Sequence, residues 1–176
     1  RRDSLTGLWN AKAFQEAVQA LAVRKSDPSP FFSVLFLDVD HFKNVNDRHG
    51  HIAGSRLLVE IAALLERCVR EGDLLARYGG DEFTVLLPEI GTEQGQRVAE
   101  RIRETIAQQR FLSPSGDALT VTVCVGVASF PEHAQDAVGI LDMADRAMYL
   151  GKGSNRNTVH VAVSLESDLP RPPRPP

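Results

Sequence analysis

Gly79-Gly80-Asp81-Glu82-Phe83 separates two alternating runs, Asp73 to Tyr78 and Glu82 to Leu87, and sets two adjacent carboxylates on a glycine link. A two-glycine link predicts a hairpin with a primed turn, because such turns need positive φ and glycine has no Cβ to clash. The tip is then bare backbone beside negative charge. Backbone of this kind lets a triphosphate approach closely. Hard oxygen donors such as Asp81 and Glu82 suit Mg²⁺, which takes one or two protein carboxylates together with substrate phosphates. The same residues also read as a solvated acidic hairpin, which is common turn chemistry.

Upstream, Ser33-Val34-Leu35-Phe36-Leu37 is a short apolar run of the kind that forms a buried strand, and it ends in Asp38-Val39-Asp40. If this strand lies beside the hairpin, Asp38 converges with Asp81 or Glu82 on one or two divalent cations, an arrangement suited to phosphoryl transfer. The alternative for Asp38 and Asp40 is an ordinary strand-terminating role.

Length and composition agree with one domain: 176 residues, 43% apolar and 24% charged. A net charge of −3 with scattered basic residues argues against a polymeric nucleic-acid partner. No apolar stretch reaches the length of a membrane span and no signal peptide begins the sequence, so the domain is expected to be cytoplasmic and without membrane contact. Cys68 and Cys124 lack the spacing of a disulfide framework or a zinc site and read as small buried hydrophobes.

Apolar spacing predicts helices around Phe14, Val18 and Leu21, from Leu57 to Cys68, around Val98, Ile102 and Ile106, and from Ile140 to Tyr149. Val121, Val123, Val125 and Val127 alternate with Thr120, Thr122, Cys124 and Gly126, which predicts a strand. Helices alternating with strands, with a hairpin among them, give an α+β fold: a partly antiparallel sheet flanked by helices. Residues 164–176, rich in proline, are expected to form a flexible tail beyond a domain spanning 1–163.

Four motifs together carry a family resemblance. They are Asp3-Ser4-Leu5-Thr6-Gly7-Leu8-Trp9-Asn10; Leu37 to Lys43 with Asn46-Asp47; Arg77-Tyr78 before the Gly79 to Phe83 segment; and Ala144-Asp145-Arg146-Ala147-Met148-Tyr149 followed by Lys152 and Arg156-Asn157. In this order, over roughly residues 3 to 160, they resemble the GGDEF domain of diguanylate cyclases. The resemblance implies a ferredoxin-like βαββαβ core, similar to nucleotidyl cyclase and polymerase palm domains, and a sensory or dimerising module upstream. It implies two Mg²⁺ or Mn²⁺ ions per site, held by Asp38, Asp81, Glu82 and the Val39 carbonyl. Lys43, Lys152 and Arg156 match phosphate-contacting positions, with Phe42, Gly79 and Gly80 beside the substrate. For the three basic residues the plain alternatives are solvated charges and, for Lys152 and Arg156, caps of a helix C-terminus.

A cyclic product needs two nucleotides reacting head to tail, so the resemblance also implies a homodimer in which each domain holds one. The family's purine pocket uses an asparagine, matched by Asn46, and an aspartate, at which position this chain has Ser55. A carboxylate only accepts hydrogen bonds and suits guanine N1–H and N2, whereas a hydroxyl donates or accepts and meets either purine. Loss of the charge-assisted bond weakens guanine preference by ~1–3 kcal/mol. That substitution resembles the hybrid promiscuous subgroup, which condenses GTP and ATP into cyclic GMP-AMP beside cyclic di-GMP and cyclic di-AMP; this is the leading expectation, with a conventional diguanylate cyclase second. Ser55 also reads as a helix N-cap, although Leu58 stands where a capping-box acid would.

Arg70-Glu71-Gly72-Asp73 matches the family's inhibitory motif for a cyclic dinucleotide product, and Arg101 matches a second arginine that the family often adds. The plain alternative is a surface ion pair between Arg70 and Asp73. A receptor or scaffold without catalysis is disfavoured, because Asp38, Asp81, Glu82, Lys43, Lys152 and Arg156 are all present.

Overall fold

Strand β1 (Phe32–Val39) is buried along its whole length, and its pleat sends alternate side chains into two separate cores. Leu35, Leu37 and Val39 enter one core; Phe32, Val34 and Phe36 enter the other. A strand apolar on both faces belongs at the centre of a sheet. In the computed structural model, which describes residues 1–163, β1 pairs antiparallel with β3 (Glu82–Pro88) on one side and β6 (Val123–Phe130) on the other.

The remaining elements are α1 (Ala11–Ala22), α2 (Phe42–His49), α3 (His51–Cys68), β2 (Leu74–Arg77), α4 (Thr92–Gln108), the short ribbon of β4 (Phe111–Leu112) and β5 (Ala118–Leu119), α5 (Ala137–Gly153) and β7 (Thr158–Val161). The sheet order is β2-β3-β1-β6-β7, with β7 parallel to β6. The run β1, α3, β2, β3, α4, β6 supplies the expected βαββαβ core. Leu57, Leu58, Ile61 and Leu65 of α3 and Ile102 and Ile106 of α4 fill one core; Phe14 and Val18 of α1 and Ile140, Ala144 and Met148 of α5 fill the other. Among the described residues no helix is long and apolar enough to cross a membrane. The expected proline-rich tail at 164–176 lies outside the described residues.

Three expectations need correction. The strand read from Val121 begins at Val123 and continues to Phe130, buried throughout. Thr122 instead turns its hydroxyl to Asp40, at 2.6 Å. The glycine link is not a two-residue primed turn. Neither Gly79 nor Gly80 is left-handed, and the loop closes through Tyr78 N donating to Glu82 O at 2.8 Å. Cys68 is only partly buried, while the Cys124 thiol is more than a hydrophobe: it donates to Asp40 Oδ1 at 3.0 Å.

Helix α5 lies directly on β6 at Gly126, where a Cβ would run into the backbone carbonyl of Ala144 and the backbone nitrogen of Met148. Backbone cannot step aside as a side chain can. Gly126→Ala is therefore expected to lower stability in urea titrations by about 3 kcal/mol, the upper range for overpacking; a loss below about 0.5 kcal/mol would mean that α5 shifts freely on the sheet.

Candidate active site

Asp38 is the last carboxylate before β1 runs out, and the sheet register sets it between Glu82 and Cys124. The β1 end is zipped to the hairpin by Val39 N donating to Asp81 O at 3.1 Å, so strand pairing brings Asp38, Asp81 and Glu82 to one edge. Lys152, on the last turn of α5, donates to Asp38 Oδ2 at 2.5 Å. The other oxygen, Oδ1, is buried without a hydrogen-bond partner. Burial pushes the Asp38 carboxyl up to about 7; Lys152 pulls against that rise and the nearby Asp81 charge adds to it.

Asp40, two residues on and 3% exposed, is fully satisfied. It accepts from Thr122 Oγ1 at 2.6 Å, Cys124 Sγ at 3.0 Å and Asn157 N at 2.8 Å. It reads as a structural carboxylate, in contrast to Asp38, which keeps one oxygen without a partner. The Cys124 thiol is pushed up to about 12, by burial first and then by Asp40, and is inert.

A cavity of about 350 Å³ opens beside this edge, lined by Phe42, Lys43, Asn46, His51, Ser55, Leu58, Arg77, Gly80 and Asp81. It brings together six of the residues singled out from sequence: Phe42, Lys43, Asn46, Ser55, Gly80 and Asp81. Two glycines shape it. A Cβ on Gly54 would strike Asn46 Oδ1 and lie 3.1 Å from Phe42 Cζ, and a Cβ on Gly79 would strike Glu82 Oε1. Ser55 is the fifth residue of α3 and faces this cavity; the N-cap of α3 is Gly50, so the capping reading of Ser55 falls.

Arg156 stands on the turn after α5, its backbone nitrogen donating to Gly151 O at 3.2 Å. Arg70 and Asp73 lie at the opposite end of β2 from Gly79. There Arg70 N and Nε donate to Asp73 at 2.9 and 3.2 Å, and Arg70 Nη2 reaches Pro88 O. Arg101 Nη2 donates to Cys68 O at the end of α3, so these three residues share a corner apart from the cavity.

Sequence reasoning quoted Arg77 and Asp3 within the family motifs but gave neither a role at the site nor a partner. The Arg77 guanidinium grips Gly80 O through Nε and Nη2, at 3.2 and 2.8 Å, and pairs with Asp3 at 3.1 Å. Burial works to raise the Asp3 pKa, but hydrogen bonds from Thr6 and the Arg77 charge hold it below the usual carboxylate value. Only the position of Arg77, three residues before Gly80, could have signalled this.

Among the described residues no three His, Cys, Asp or Glu side chains already gather as a metal cluster. The donor set still fits a hard divalent cation. It offers hard oxygens only, from carboxylates and a backbone carbonyl, and an orphaned buried oxygen of Asp38 stands next to Asp81. Asp38, Asp81, Glu82 and the Val39 carbonyl are the groups that would hold it.

Comparison with known proteins agrees with this geometry. The family described as "Diguanylate cyclase, GGDEF domain" matches residues 1–158, and the chain belongs to that family. It is 40% identical over 162 residues to diguanylate cyclase TpbB of Pseudomonas aeruginosa, covering 91% of this chain and 37% of that one. It is 37% identical over 139 residues to diguanylate cyclase A of Treponema denticola, covering 79% and 36%. The chain thus spans little more than a third of these relatives' length. Among solved structures it resembles the GGDEF domain of TpbB (YfiN) from P. aeruginosa, with TM-score 0.88, 36% identity and coverage of 93% and 95%. It also resembles the GGDEF domain of DgcB from Caulobacter crescentus in complex with c-di-GMP, with TM-score 0.86, 29% identity and coverage of 93% of both chains.

The raised Asp38 pKa has a consequence for stability. Between its ordinary value of 3.8 and about 7, the folded chain keeps a proton that the unfolded chain has lost. Stabilisation from this group is full below that window and is lost as pH climbs through it. Asp38→Asn cannot titrate, so in metal-free urea titrations its stability relative to the parent should rise by roughly 4 kcal/mol between pH 4 and pH 8. A difference that does not change with pH would refute the burial of a charged Asp38.

Proposed function

We propose that this chain is the catalytic domain of a diguanylate cyclase, condensing two GTP into cyclic di-GMP with release of pyrophosphate. The observation that carries the reading is the cavity itself, which brings Asn46 and Ser55 together with Lys43, Gly80 and Asp81, with Asp81 next to the Asp38–Lys152 pair.

Asn46 and Ser55 meet the base edge. The bare backbone of Gly79 and Gly80 admits the triphosphate, whose charge Lys43, Lys152 and Arg156 offset as it grows in the transition state. A carboxylate of the Asp38, Asp81 and Glu82 group accepts the proton of the attacking 3′-hydroxyl as the oxygen displaces pyrophosphate in line. When bound at these carboxylates, Mg²⁺ supplies charge neutralisation and polarisation of the α-phosphate. One cavity holds one nucleotide, so two domains must face each other, and catalysis requires a homodimer.

Relatives at 37–40% identity named as diguanylate cyclases move the reading from the mixed product expected from sequence to cyclic di-GMP. The mixed product remains the second reading because of one residue, Ser55, which offers no carboxylate to guanine. We further propose that Arg70, Asp73 and Arg101 bind product as an inhibitory site.

Mass spectrometry of an artificially dimerised form given equal GTP and ATP with Mg²⁺ tests this. Cyclic di-GMP is expected as the main product, with Ser55→Asp tightening GTP use about tenfold and Glu82→Ala abolishing pyrophosphate release. Predominant cyclic GMP-AMP from the parent, lost in Ser55→Asp, would install the second reading instead. Arg70→Ala should relieve inhibition by cyclic di-GMP; an unchanged inhibition curve would remove the inhibitory site.

A further inference from the structure

Beyond α5, two successive residues with side chains, Arg156 (φ 53) and Asn157 (φ 46), take left-handed backbone. Such conformations are unfavourable for residues with a Cβ and persist only where the surroundings over-determine them. Asn157 is gripped from two sides. Its backbone nitrogen donates to Asp40 Oδ2 at 2.8 Å, within the buried hydrogen-bond set that Thr122 and Cys124 complete. Its Oδ1 accepts from Arg103 Nη1 at 2.9 Å, across from α4. Arg103, whose side chain is 20% exposed, is itself held by Glu100 at 2.9 Å and Glu104 at 3.7 Å. The backbone of Arg156 is tied in addition to Gly151 O. The turn that follows Lys152 is therefore set by β1, α4 and α5 together.

We infer that Arg103 is a positioning residue for the nucleotide: by holding Asn157 it fixes the left-handed turn from which Arg156 meets the triphosphate. This deepens the reading of Arg156 given above and rests on it. Nothing places Arg103 at the cavity; it acts through Asn157. An asparagine suits the position twice over, since it tolerates left-handed backbone better than most residues and presents an amide oxygen to the guanidinium.

The test is the dissociation constant of a non-hydrolysable GTP analogue with Mg²⁺, read alongside KM and kcat for pyrophosphate release by the dimerised enzyme. It compares the parent with Arg103→Met, Arg103→Lys, Arg156→Met and the double variant Arg103→Met/Arg156→Met. Arg103→Met should weaken binding and raise KM about tenfold, the size of one hydrogen bond to a charged group, and lower kcat as well, because Arg156 also offsets charge that grows in the transition state. Arg103→Lys, which keeps a donor, should restore most of the loss. In the Arg156→Met background the second substitution should add nothing. Binding equal to the parent in Arg103→Met, or the same loss in both backgrounds, overturns the inference. If Arg156→Met alone binds as the parent does, the phosphate role of Arg156 fails and the inference falls with it. Should Arg103→Met not fold, Asn157→Gly still admits the left-handed backbone and removes the carboxamide that Arg103 grips; full-strength binding there also overturns the clamp.

Discussion

The seating of α5 on β6 is the constraint on which the site depends. Gly126 lets the helix backbone touch the strand backbone, and that contact fixes both the height and the rotation of α5. Lys152 can then reach Asp38 from the last turn of α5, and the chain leaving the helix is delivered to Asp40 through Asn157 N. Ala144 and Ala147, small and buried on the same helix face, keep that approach close. A side chain at position 126 would lift the helix and carry the ammonium away from the carboxylate.

Asp38 and Asp40 illustrate how environment separates two identical groups. They are two residues apart, Asp38 within β1 and Asp40 just beyond its end, and both meet groups from β6 and the α5 end of the chain. Asp40 meets three donors and is spent on structure. Asp38 meets one ammonium and keeps one buried oxygen unsatisfied, with Asp81 nearby. An unsatisfied buried oxygen costs stability, and a group kept in that condition is available for chemistry. The divergence follows from the neighbours: Thr122 and Cys124 can donate hydrogen bonds, whereas the hairpin opposite Asp38 offers carboxylates.

Much of this was legible because local signals and global packing agree. The helix over residues 57–68 has clean apolar spacing, and the run ending at Asp38 is apolar on both faces, so their roles follow from pattern alone. Asn46, Ser55, Lys43 and the glycine hairpin could be placed in one site only through their resemblance to a known set of motifs, since nothing in their spacing shows that α2 and α3 fold against the hairpin. Helix α2 escaped notice because only Val45 of its eight residues is buried. The valine alternation from 121 to 127 misled at its start: Thr120 to Thr122 fit the period-two pattern as well as the strand does, and only the demand of Asp40 for donors breaks it. Arg77 and Arg103 were hidden for a common reason. Their partners, Asp3 and Asn157, lie far away in sequence, and no local pattern encodes a contact of 74 or 54 residues' separation.

Charge sets a further condition on any triphosphate held here. On the proposed reading, Lys43, Lys152 and Arg156 set three cations against the three carboxylates Asp38, Asp81 and Glu82, of which the Lys152–Asp38 pair is already made, so the protein's own charges would roughly cancel. A bound triphosphate of about four negative charges would then be left nearly uncompensated, in a site where Asp38 is buried and screening is weak. Two divalent cations, as proposed for this site, would be the size of that deficit. The carboxylates would hold the metals, and the lysines and arginine would hold what the metals leave. On this balance the turn at Arg156 and Asn157 matters as much as the acidic hairpin: losing one fixed cation returns the site to a net negative field that favours release of the substrate.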